Sequence, residues 1–272
     1  MKRTRIVFIA GIGSDIGREL ARRYVRDGWQ VTGTYRTAAS VTGLKNVRGI
    51  KLLRCDISRA RDISRAVAAF KRQGGARWDL YICAVGTMEP IGKFFFIDFD
   101  AWERSFEANV FGQLRLLHAL YDMRFKKSAA VAFFAGGGTN NPMPNYSAYC
   151  AAKIMLIKMC ELLDDENRDL SVFIVGPGWV RTKIHNQTLA NATAAGHGFE
   201  KTGSFLRSGN NGTSHDDIYA CINWCVDRGK RVAGGRNFSV VHDKWRNGGS
   251  GLRKRLIADP CKFKLRRYKN ED

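Results

Sequence analysis

The chain has 272 residues, 44% of them hydrophobic and only five of them proline, which allows a large α/β core and excludes a composition typical of disorder. No apolar run approaches the roughly 20 residues of a membrane span, and the stretch over 6–10 is too short for a signal peptide, so we expect a soluble cytoplasmic protein. Seven cysteines without a C-x-x-C pair favour reduced thiols, and they predict no metal site.

The formal net charge of +20 is unevenly distributed along the chain. It amounts to +12 over residues 1–80, +1 over 81–243 and +7 over 244–272. A basic first part suits a phosphorylated cofactor, and a basic end suits an anionic small-molecule substrate. Charge alone would also suit nucleic acid, but the chain has no recognition-module signature, so no nucleic-acid partner is predicted.

Short β-rich runs alternate with longer amphipathic stretches. The predicted strands cover 5–10, 30–35, 51–54, 80–84, 130–134, 170–175 and 236–241, and the predicted helices cover 15–27, 58–72, 100–125 and 146–167. This alternation predicts an α/β fold with a doubly wound, mostly parallel seven-stranded sheet covered by helices on both faces. We expect one domain over residues 1–272.

Two later segments have a different composition. Residues 183–215 are rich in Asn, Thr, Ala, Gly and Ser, and a loop of this length inside a compact domain is usually functional or mobile. We interpret it as a substrate-covering lid with one short helix, the alternative being a disordered surface insertion. Residues 252–272 form a basic C-terminal tail.

A glycine-rich segment, G-I-G-S-D-I-G over 11–17, follows the first predicted strand and opens the first helix. Glycines remove the side chains that would keep a pyrophosphate away from the backbone N–H groups and the helix N-terminus. Asp15 suits a helix N-cap, but its carboxylate would repel phosphates unless the side chain turns into capping. The segment predicts a slightly irregular dinucleotide site.

The residue after the second predicted strand indicates which dinucleotide binds. NAD-specific proteins place an acidic residue here for the ribose 2′-hydroxyl, whereas this chain has Arg36 after Tyr35. A guanidinium suits a 2′-phosphate, so the sequence favours NADP(H). The alternative is an arginine that only faces solvent.

Tyr149 and Lys153 are four residues apart on a predicted helix, which places them on one face. A lysine ammonium near a phenol stabilises the phenolate, so we expect Lys153 to lower the pKa of Tyr149 from about 10. Such a tyrosine can exchange a proton with a carbonyl oxygen near neutral pH. The spacing alone is common in ordinary helices.

Taken in order, these motifs resemble the short-chain dehydrogenase/reductase family over roughly residues 4–183. The loop at 11–17 takes the place of the family's T-G-x-x-x-G-x-G, with Ala10 for the threonine and Asp15 for the middle glycine. P-G-W-V-R-T over 177–182 matches the family's P-G-x-V-x-T. C-A-V-G over 83–86 replaces N-N-A-G and keeps only the last glycine.

The resemblance implies a Rossmann-fold, NADP(H)-dependent oxidoreductase that acts on a carbonyl or alcohol. It implies that Tyr149 is the general acid/base, that Lys153 binds the nicotinamide ribose and tunes the tyrosine, and that Asn109 supports a water relay to the lysine. The residues expected to bind the cofactor are Gly11, Gly13, Ser14, Asp15, Ile16, Gly17, Tyr35, Arg36, Asp56, Ile57, Ala84, Val85, Gly86, Tyr149, Lys153, Pro177, Gly178, Val180 and Thr182.

The chain departs from the family at the catalytic serine, whose place is taken by A-G-G-G-T over 135–139. Glycine cannot donate a side-chain hydrogen bond, and losing one such donor typically lowers turnover by about 10²–10³. We expect Thr139 or the backbone N–H groups of the glycine run to replace it. Ser147 is a third candidate, but two residues before Tyr149 on a helix it would face another direction. A fourth reading is that activity has been lost.

Other features bear on partners and substrate. The resemblance implies a homodimer or homotetramer built on the helices that carry Asn109 and Tyr149, and the run 94–96, F-F-F, is predicted as either core or subunit interface. The basic surface and the long lid suggest an anionic substrate, such as a nucleotide-linked sugar or a carrier-bound acyl group. The stretch 234–245 resembles the closing strand of sugar-modifying and surface-polysaccharide members of the family. His185, at the start of the lid, is expected to be a surface histidine, with contact to substrate as the alternative.

Two functions follow. The first is a reductase or dehydrogenase in which Tyr149 handles the proton of the substrate oxygen. The second is an NADP(H)-binding regulatory or scaffold protein without chemistry, suggested by the missing serine and the altered N-N-A-G.

Overall fold

The computed structural model describes residues 3–73, 77–210 and 212–267. In these residues seven strands form a sheet with the order β3-β2-β1-β4-β5-β6-β7. The strands are β1 (Ile6–Ala10), β2 (Gln30–Tyr35), β3 (Ile50–Arg54), β4 (Leu80–Cys83), β5 (Ala129–Phe134), β6 (Leu170–Gly176) and β7 (Asn237–Ser239). Every pairing is parallel, so the predicted doubly wound sheet is confirmed and is wholly, not mostly, parallel.

Helices connect the strands and cover both faces of the sheet. They are α1 (Asp15–Arg26), α2 (Ala60–Lys71), α3 (Phe99–Phe106), α4 (Gly112–Leu120), α5 (Ser147–Glu166), α6 (His185–Ala190), α7 (Ala192–Ala195), α8 (His197–Arg207), α9 (His215–Arg228), α10 (Lys230–Ala233) and α11 (Ser250–Ala258). Short 3₁₀ turns occupy Ala38–Leu44, Phe94–Phe96 and Tyr121–Met123, and a π turn occupies Glu107–Phe111.

The core has two layers because successive strand residues point to opposite faces. In β1, Val7 and Ile9 pack on one face with Leu20 of α1, whereas Phe8 packs on the other face with Phe70 of α2. Burial on both faces explains why these strands are continuous apolar runs without alternating polar residues.

The N-cap of helix α1 lies one residue earlier than predicted. Ser14 is the N-cap, and its Oγ accepts a hydrogen bond from Gly17 N at 3.0 Å. Asp15 is the first residue of the helix, so its prediction as the cap was wrong. Serine takes this role because its side-chain oxygen reaches the N3 amide from an extended backbone.

The single helix predicted over 100–125 is interrupted. Its middle is the π turn Glu107–Phe111, which widens the helix at the completely buried Asn109. Single-turn π-helices occur frequently at functional sites, but no local sequence pattern predicts one.

The predicted lid contains three helices, α6, α7 and α8, instead of the single short helix expected. Residues such as Asn, Thr and Gly have low helix propensity, but tertiary packing can outweigh it. Here Thr188 and Ala195 are almost completely buried. The tail predicted over 252–272 begins inside α11, where Leu252 and Leu256 are buried, and its last residues, 268–272, lie outside the described residues.

The carboxyl ends of parallel strands meet at one edge of the sheet. From β1 the chain continues to β2 and β3 towards one edge strand, whereas from β4 it continues to β5, β6 and β7 towards the other edge strand. The order of the strands therefore reverses between the neighbours β1 and β4. In open α/β sheets a ligand binds in the crevice above such a reversal. None of the helices in the described part of the chain is both long and apolar enough to cross a bilayer.

Candidate functional site

The residues predicted to bind cofactor or to catalyse come from segments distant in sequence. Almost all of them follow the carboxyl end of a strand, from Gly11 after β1 to Thr182 after β6, and the others lie on the π turn and on α5. The structure therefore brings the candidate residues to the same edge of the sheet. The described residues contain no group of three His, Cys, Asp or Glu side chains that could hold a metal ion.

The glycine-rich loop is packed tightly against its neighbours. Gly11 has a φ of +77°, and a Cβ there would lie 2.6 Å from Val85 Cγ2. A Cβ on Gly17 would lie 2.3 Å from Gly11 O, and one on Gly13 would lie 2.1 Å from Ser40 Oγ. Only glycine fits these three positions, which explains the motif as a packing requirement as well as an opening for phosphate.

The start of α1 offers backbone donors to an anion. Within the described chain, the N–H groups of Gly13, Asp15 and Ile16 donate no hydrogen bond, whereas Ser14 N and Gly17 N are satisfied inside the loop. Unpaired amides at a helix N-terminus bind phosphate groups. The loop therefore fits a dinucleotide pyrophosphate.

The carboxylate of Asp15 is held away from the first-turn amides. Its Oδ1 accepts a hydrogen bond from Arg18 Nη2 at 2.8 Å, and its Oδ2 accepts one from Lys183 N at 2.7 Å. The side chain thus turns away from capping and joins the loop to the segment that leads into the lid. Residues 15 and 183 are far apart in sequence, so no spacing could have predicted this contact.

Arg36 is exposed at the end of β2, next to the half-buried Tyr35. Asp56, after β3, lies close enough for the charge of Arg36 to act on it. Burial raises the pKa of Asp56, but hydrogen bonds from Ser58 and the charges of Arg36 and Arg59 outweigh it and keep this pKa below its usual value. The end of β2 therefore pairs a cation with a nearby carboxylate that remains ionised. The neighbouring Ile57 is buried.

Asn109 connects the π turn to the loop after β4. Its Oδ1 accepts a hydrogen bond from Thr87 N at 3.0 Å, and its Nδ2 donates to Thr87 O at 2.9 Å. A Cβ on Gly86 would lie 3.4 Å from Asn109 Oδ1 and 3.8 Å from Lys153 Nζ, so the amide and the ammonium approach the same glycine. Ala84 and Val85 lead into this loop from β4.

Tyr149 and Lys153 occupy one face of α5, as the spacing predicts, and both are buried. Lys153 Nζ donates a hydrogen bond to Phe134 O at 3.0 Å and lies 5.7 Å from the centre of the Tyr149 ring. The lysine is therefore bound to the end of β5 and not to the phenol oxygen.

The predicted lowering of the tyrosine pKa was wrong for this structure. Burial raises the pKa of Tyr149 to about 12, and burial lowers the pKa of Lys153 to about 8. Desolvation disfavours the charged form of each group, and it is the largest cause of both shifts.

The segment at the place of the missing serine lies directly against Tyr149. A Cβ on Gly136 would lie 2.3 Å from the tyrosine hydroxyl oxygen. Thr139 donates a hydrogen bond from its Oγ1 to Gly136 O at 3.2 Å. Ser147 accepts one from Trp102 Nε1 at 3.1 Å on α3, which agrees with the prediction that it faces another direction.

The segment after β6 is held in place by the lid. Gly178 has a φ of +73°, Val180 forms an antiparallel bridge with Gly212, and His185 Nε2 hydrogen-bonds with Val180 O at 2.9 Å. His185 is buried, so its prediction as a surface histidine was wrong. It stacks on Trp179, with ring centres 5.3 Å apart. Pro177 and Thr182 begin and end this segment.

The lid helices dock onto the site through polar contacts. Gln187 of α6 accepts a hydrogen bond from Met88 N at 2.8 Å and donates one to Thr87 Oγ1 at 3.0 Å. Thr188 hydrogen-bonds with the Tyr146 hydroxyl at 3.0 Å. Sequence reasoning did not find these residues because their partners are distant in sequence.

Comparisons with known proteins agree with this geometry. A family model described as short chain dehydrogenase matches residues 5–193. A human protein, dehydrogenase/reductase SDR family member 2, mitochondrial, is 26% identical over 186 residues, covering 65% of this chain and 66% of the relative. Serine 3-dehydrogenase from Agrobacterium fabrum is 24% identical over 230 residues, covering 83% of this chain and 89% of the relative. The match thus spans just under two thirds of the human relative's length.

Solved structures share the fold at lower identity. A short-chain dehydrogenase/reductase from Saccharomyces cerevisiae has a TM-score of 0.80 at 18% identity, covering 91% of this chain and 99% of that one. A short-chain dehydrogenase from Shigella flexneri complexed with NADP has a TM-score of 0.71 at 20% identity, covering 87% and 96%. An actinorhodin polyketide ketoreductase with NADPH has a TM-score of 0.73 at 20% identity, covering 87% and 95%.

Proposed function

Because the chain belongs to the short-chain dehydrogenase family, a family of oxidoreductases, we propose that it transfers a hydride between NADP(H) and a carbonyl or alcohol group of a small-molecule substrate. The observation that carries this proposal is the position of Tyr149 and Lys153, one turn apart on α5 beside the edge of the sheet that holds the glycine loop. Tyr149 is the proton-transfer group and Lys153 its positioning partner.

Different residues of the site bind the cofactor and transfer the proton. The first-turn amides of α1 bind the pyrophosphate, and Arg36 binds the 2′-phosphate. Pro177, Gly178, Val180 and Thr182 face the nicotinamide end. When bound, the nicotinamide ring gives or takes the hydride. Tyr149 passes its hydroxyl proton to the substrate oxygen during reduction or accepts a proton from it during oxidation. Asn109 holds the backbone of Thr87, the residue after the Gly86 that Lys153 approaches.

The preference for NADP(H) is supported by Arg36 and by relatives of known fold that were solved with NADP or NADPH. A titration of the purified protein with NADPH and with NADH, followed by nicotinamide fluorescence, tests it. We expect NADPH to bind at least about ten-fold more tightly, because the guanidinium makes charge-assisted hydrogen bonds to the extra phosphate.

Two variants sharpen the cofactor test. Arg36→Asp removes the preference, whereas Arg61→Asp, an exposed arginine in the first turn of α2, keeps it. Equal affinity of the wild type for both dinucleotides contradicts the NADP(H) proposal, and binding of neither contradicts the oxidoreductase proposal.

An anionic substrate is supported by the charges at the lid. Arg181 and Lys183 flank Thr182, and both side chains are exposed. They create a positive potential at the nicotinamide end of the site, which attracts anions. A nucleotide-linked sugar of surface-polysaccharide synthesis satisfies this requirement and stays a prediction, as does the cytoplasmic location.

A homo-oligomer is supported by an exposed aromatic surface. Phe95 and Phe96 are 89% and 85% exposed, and Phe94 and Phe99 pack beside them, so this run does not belong to the core. Contiguous exposed aromatic side chains mark interaction sites. We expect sedimentation to show a dimer or tetramer that Phe95→Glu combined with Phe96→Glu converts to monomer. Sedimentation of the wild-type protein as a monomer would contradict the proposed homo-oligomer.

A second function, binding of NADP(H) without chemistry, is favoured by the buried Tyr149 and by the lack of a serine. Turnover distinguishes the two functions. An enzyme reduces a carbonyl with NADPH and loses this activity in Tyr149→Phe, whereas a protein that only binds NADP(H) shows no turnover in either form.

A further inference from the structure

Gly136 is required by the position of Tyr149 and not by its own backbone. Its φ lies outside the left-handed region, so any residue could adopt its conformation. A Cβ at this position would nevertheless lie 2.3 Å from the tyrosine hydroxyl oxygen, 2.6 Å from Cζ and 2.7 Å from Cε1. These separations are well inside van der Waals contact, so the space of a side chain at 136 is filled by the phenol.

The tyrosine ring has little freedom to move aside. Tyr149 is 8% exposed and packs with Met88, Ile91, Tyr146 and Ala195, the last of which belongs to the lid. A buried ring in such a cluster cannot shift without displacing its neighbours.

The next residue of the helix is held in the same way. A Cβ on Gly138 would lie 2.5 Å from Cys150 Sγ, and the φ of +86° at Gly138 independently favours glycine. The glycine run thus lies against two successive residues, 149 and 150, in the first turn of α5. The glycines after β5 therefore allow this segment to pack closely against the first turn of α5.

We propose that Gly136 is a positioning residue, whose lack of a side chain sets the Tyr149 hydroxyl in the space that a serine would take. The proposal rests on the proposed function, in which this hydroxyl transfers the proton. The active site then meets the substrate oxygen with the tyrosine hydroxyl and with no side chain from residue 136. A serine side chain at residue 136 would collide with the phenol of Tyr149. The position of the tyrosine therefore requires that the serine of the family be absent here.

The opposite interpretation makes an opposite prediction. If the glycine were only a lost serine, Gly136→Ser would restore a hydrogen-bond donor and raise turnover, by up to about 10²–10³. If Gly136 positions Tyr149, the same variant displaces the phenol and lowers turnover. One substitution therefore decides between the two.

The kinetic experiment uses Gly136→Ser and Gly136→Ala, with Gly251→Ala as the matched control. A Cβ on Gly251 meets no atom within 4 Å, and its φ is not left-handed. We expect both variants at 136 to lower kcat for NADPH-dependent carbonyl reduction by about ten- to 100-fold. The affinity for NADPH measured by fluorescence stays within about two-fold of the wild type, and the control changes neither quantity. A rise in kcat for Gly136→Ser, or an unchanged kcat for Gly136→Ala, overturns the proposal.

A second measurement needs no turnover. Gly136→Ala is compared in the wild type and in a Tyr149→Ala background by thermal unfolding. The added methyl lowers Tm by roughly 5 °C when the phenol is present, as overpacking does, and it causes no loss when the phenol has been removed. Equal losses in both backgrounds overturn the proposed placement of Tyr149. If the wild type binds no dinucleotide or reduces no carbonyl, the proposed function fails, and this comparison still judges the placement.

Discussion

At the scale of single residues, burial changes the chemistry that side-chain identity predicts. Tyr149 and Lys153 have the spacing for mutual stabilisation, but the lysine ammonium donates to Phe134 O and both groups lie inside the protein. Burial therefore raises the pKa of the phenol and lowers that of the amine. The tyrosine holds its proton throughout the physiological range, which suits the direction of carbonyl reduction.

Removing the tyrosine hydroxyl tests its role directly. We expect Tyr149→Phe to lower kcat for NADPH-dependent reduction by about 10²–10⁴, because the variant removes the hydroxyl that is proposed to give the proton. NADPH affinity is expected to stay within about two-fold, measured by fluorescence titration. Tyr219→Phe, which removes the hydroxyl of a half-buried tyrosine on α9 outside the proposed site, is the control for proton transfer and should keep kcat. Unchanged turnover in Tyr149→Phe contradicts the assignment.

The missing serine is likewise a residue-scale question that neighbours decide. Sequence reasoning looked for a replacement donor in Thr139 or in the glycine backbone. The structure shows Thr139 donating to Gly136 O and shows the phenol against Gly136. Whether either donor meets the substrate stays a prediction.

At the scale of elements, the lid and the loop after β4 form one unit. Gln187 of α6 binds Thr87 and Met88, and Asn109 binds the same Thr87 through both its N–H and its C=O. The lid is thereby connected to the loop that faces Lys153. We expect an opening of the lid to break the first pair of hydrogen bonds and to leave the second intact.

Gln187→Ala should therefore loosen α6 selectively. Two hydrogen bonds of about 0.5–1.5 kcal/mol each are lost, so we expect amide hydrogen exchange over residues 185–190 to become about ten-fold faster, while β4 and α5 keep their protection. Asn186→Ala, an exposed neighbour on the same helix, is the matched control. Unchanged exchange in Gln187→Ala would show that apolar packing alone holds the lid.

At the scale of the whole molecule, the end of the described chain is fastened to the central helix. Arg266 donates two hydrogen bonds to Glu161 of α5, which also accepts one from Lys158 at 2.7 Å. The hydrogen bond from Arg266 is the main reason that the pKa of Glu161 falls to about 2, from 4.5 for an unperturbed glutamate. Part of the basic C-terminal charge therefore serves to hold the chain together.

This contact makes stability depend on pH in a defined direction. A carboxyl with a lowered folded-state pKa contributes stability above its unfolded pKa of about 4.5 and loses it as the pH falls towards 2. We expect Glu161→Gln to unfold at a lower Tm than the wild type at pH 6, with the difference shrinking between pH 5 and 2. Glu166→Gln, an exposed residue on the same helix, is the control. A difference that does not change with pH contradicts the prediction.

The sequence by itself determined the fold class, the seven strands and the candidate residues at the strand ends. It could do so because buried parallel strands are continuous apolar runs, and because the motifs at 11–17, 149–153 and 177–182 are local. It predicted one short helix in the lid instead of α6, α7 and α8, because Asn, Thr and Gly have low helix propensity, and it made no prediction for α9 to α11.

Only the tertiary structure decided how those residues are arranged. The contact of Asp15 with Lys183 N, the contact of Gln187 with Thr87 and the space that Tyr149 takes from residue 136 all join segments far apart in the chain. The shifted pKa values also depend on burial, which is a property of the assembled core. Residue identity supplies the chemical groups, whereas packing sets their distances and their exposure to water, and these decide what the groups can do.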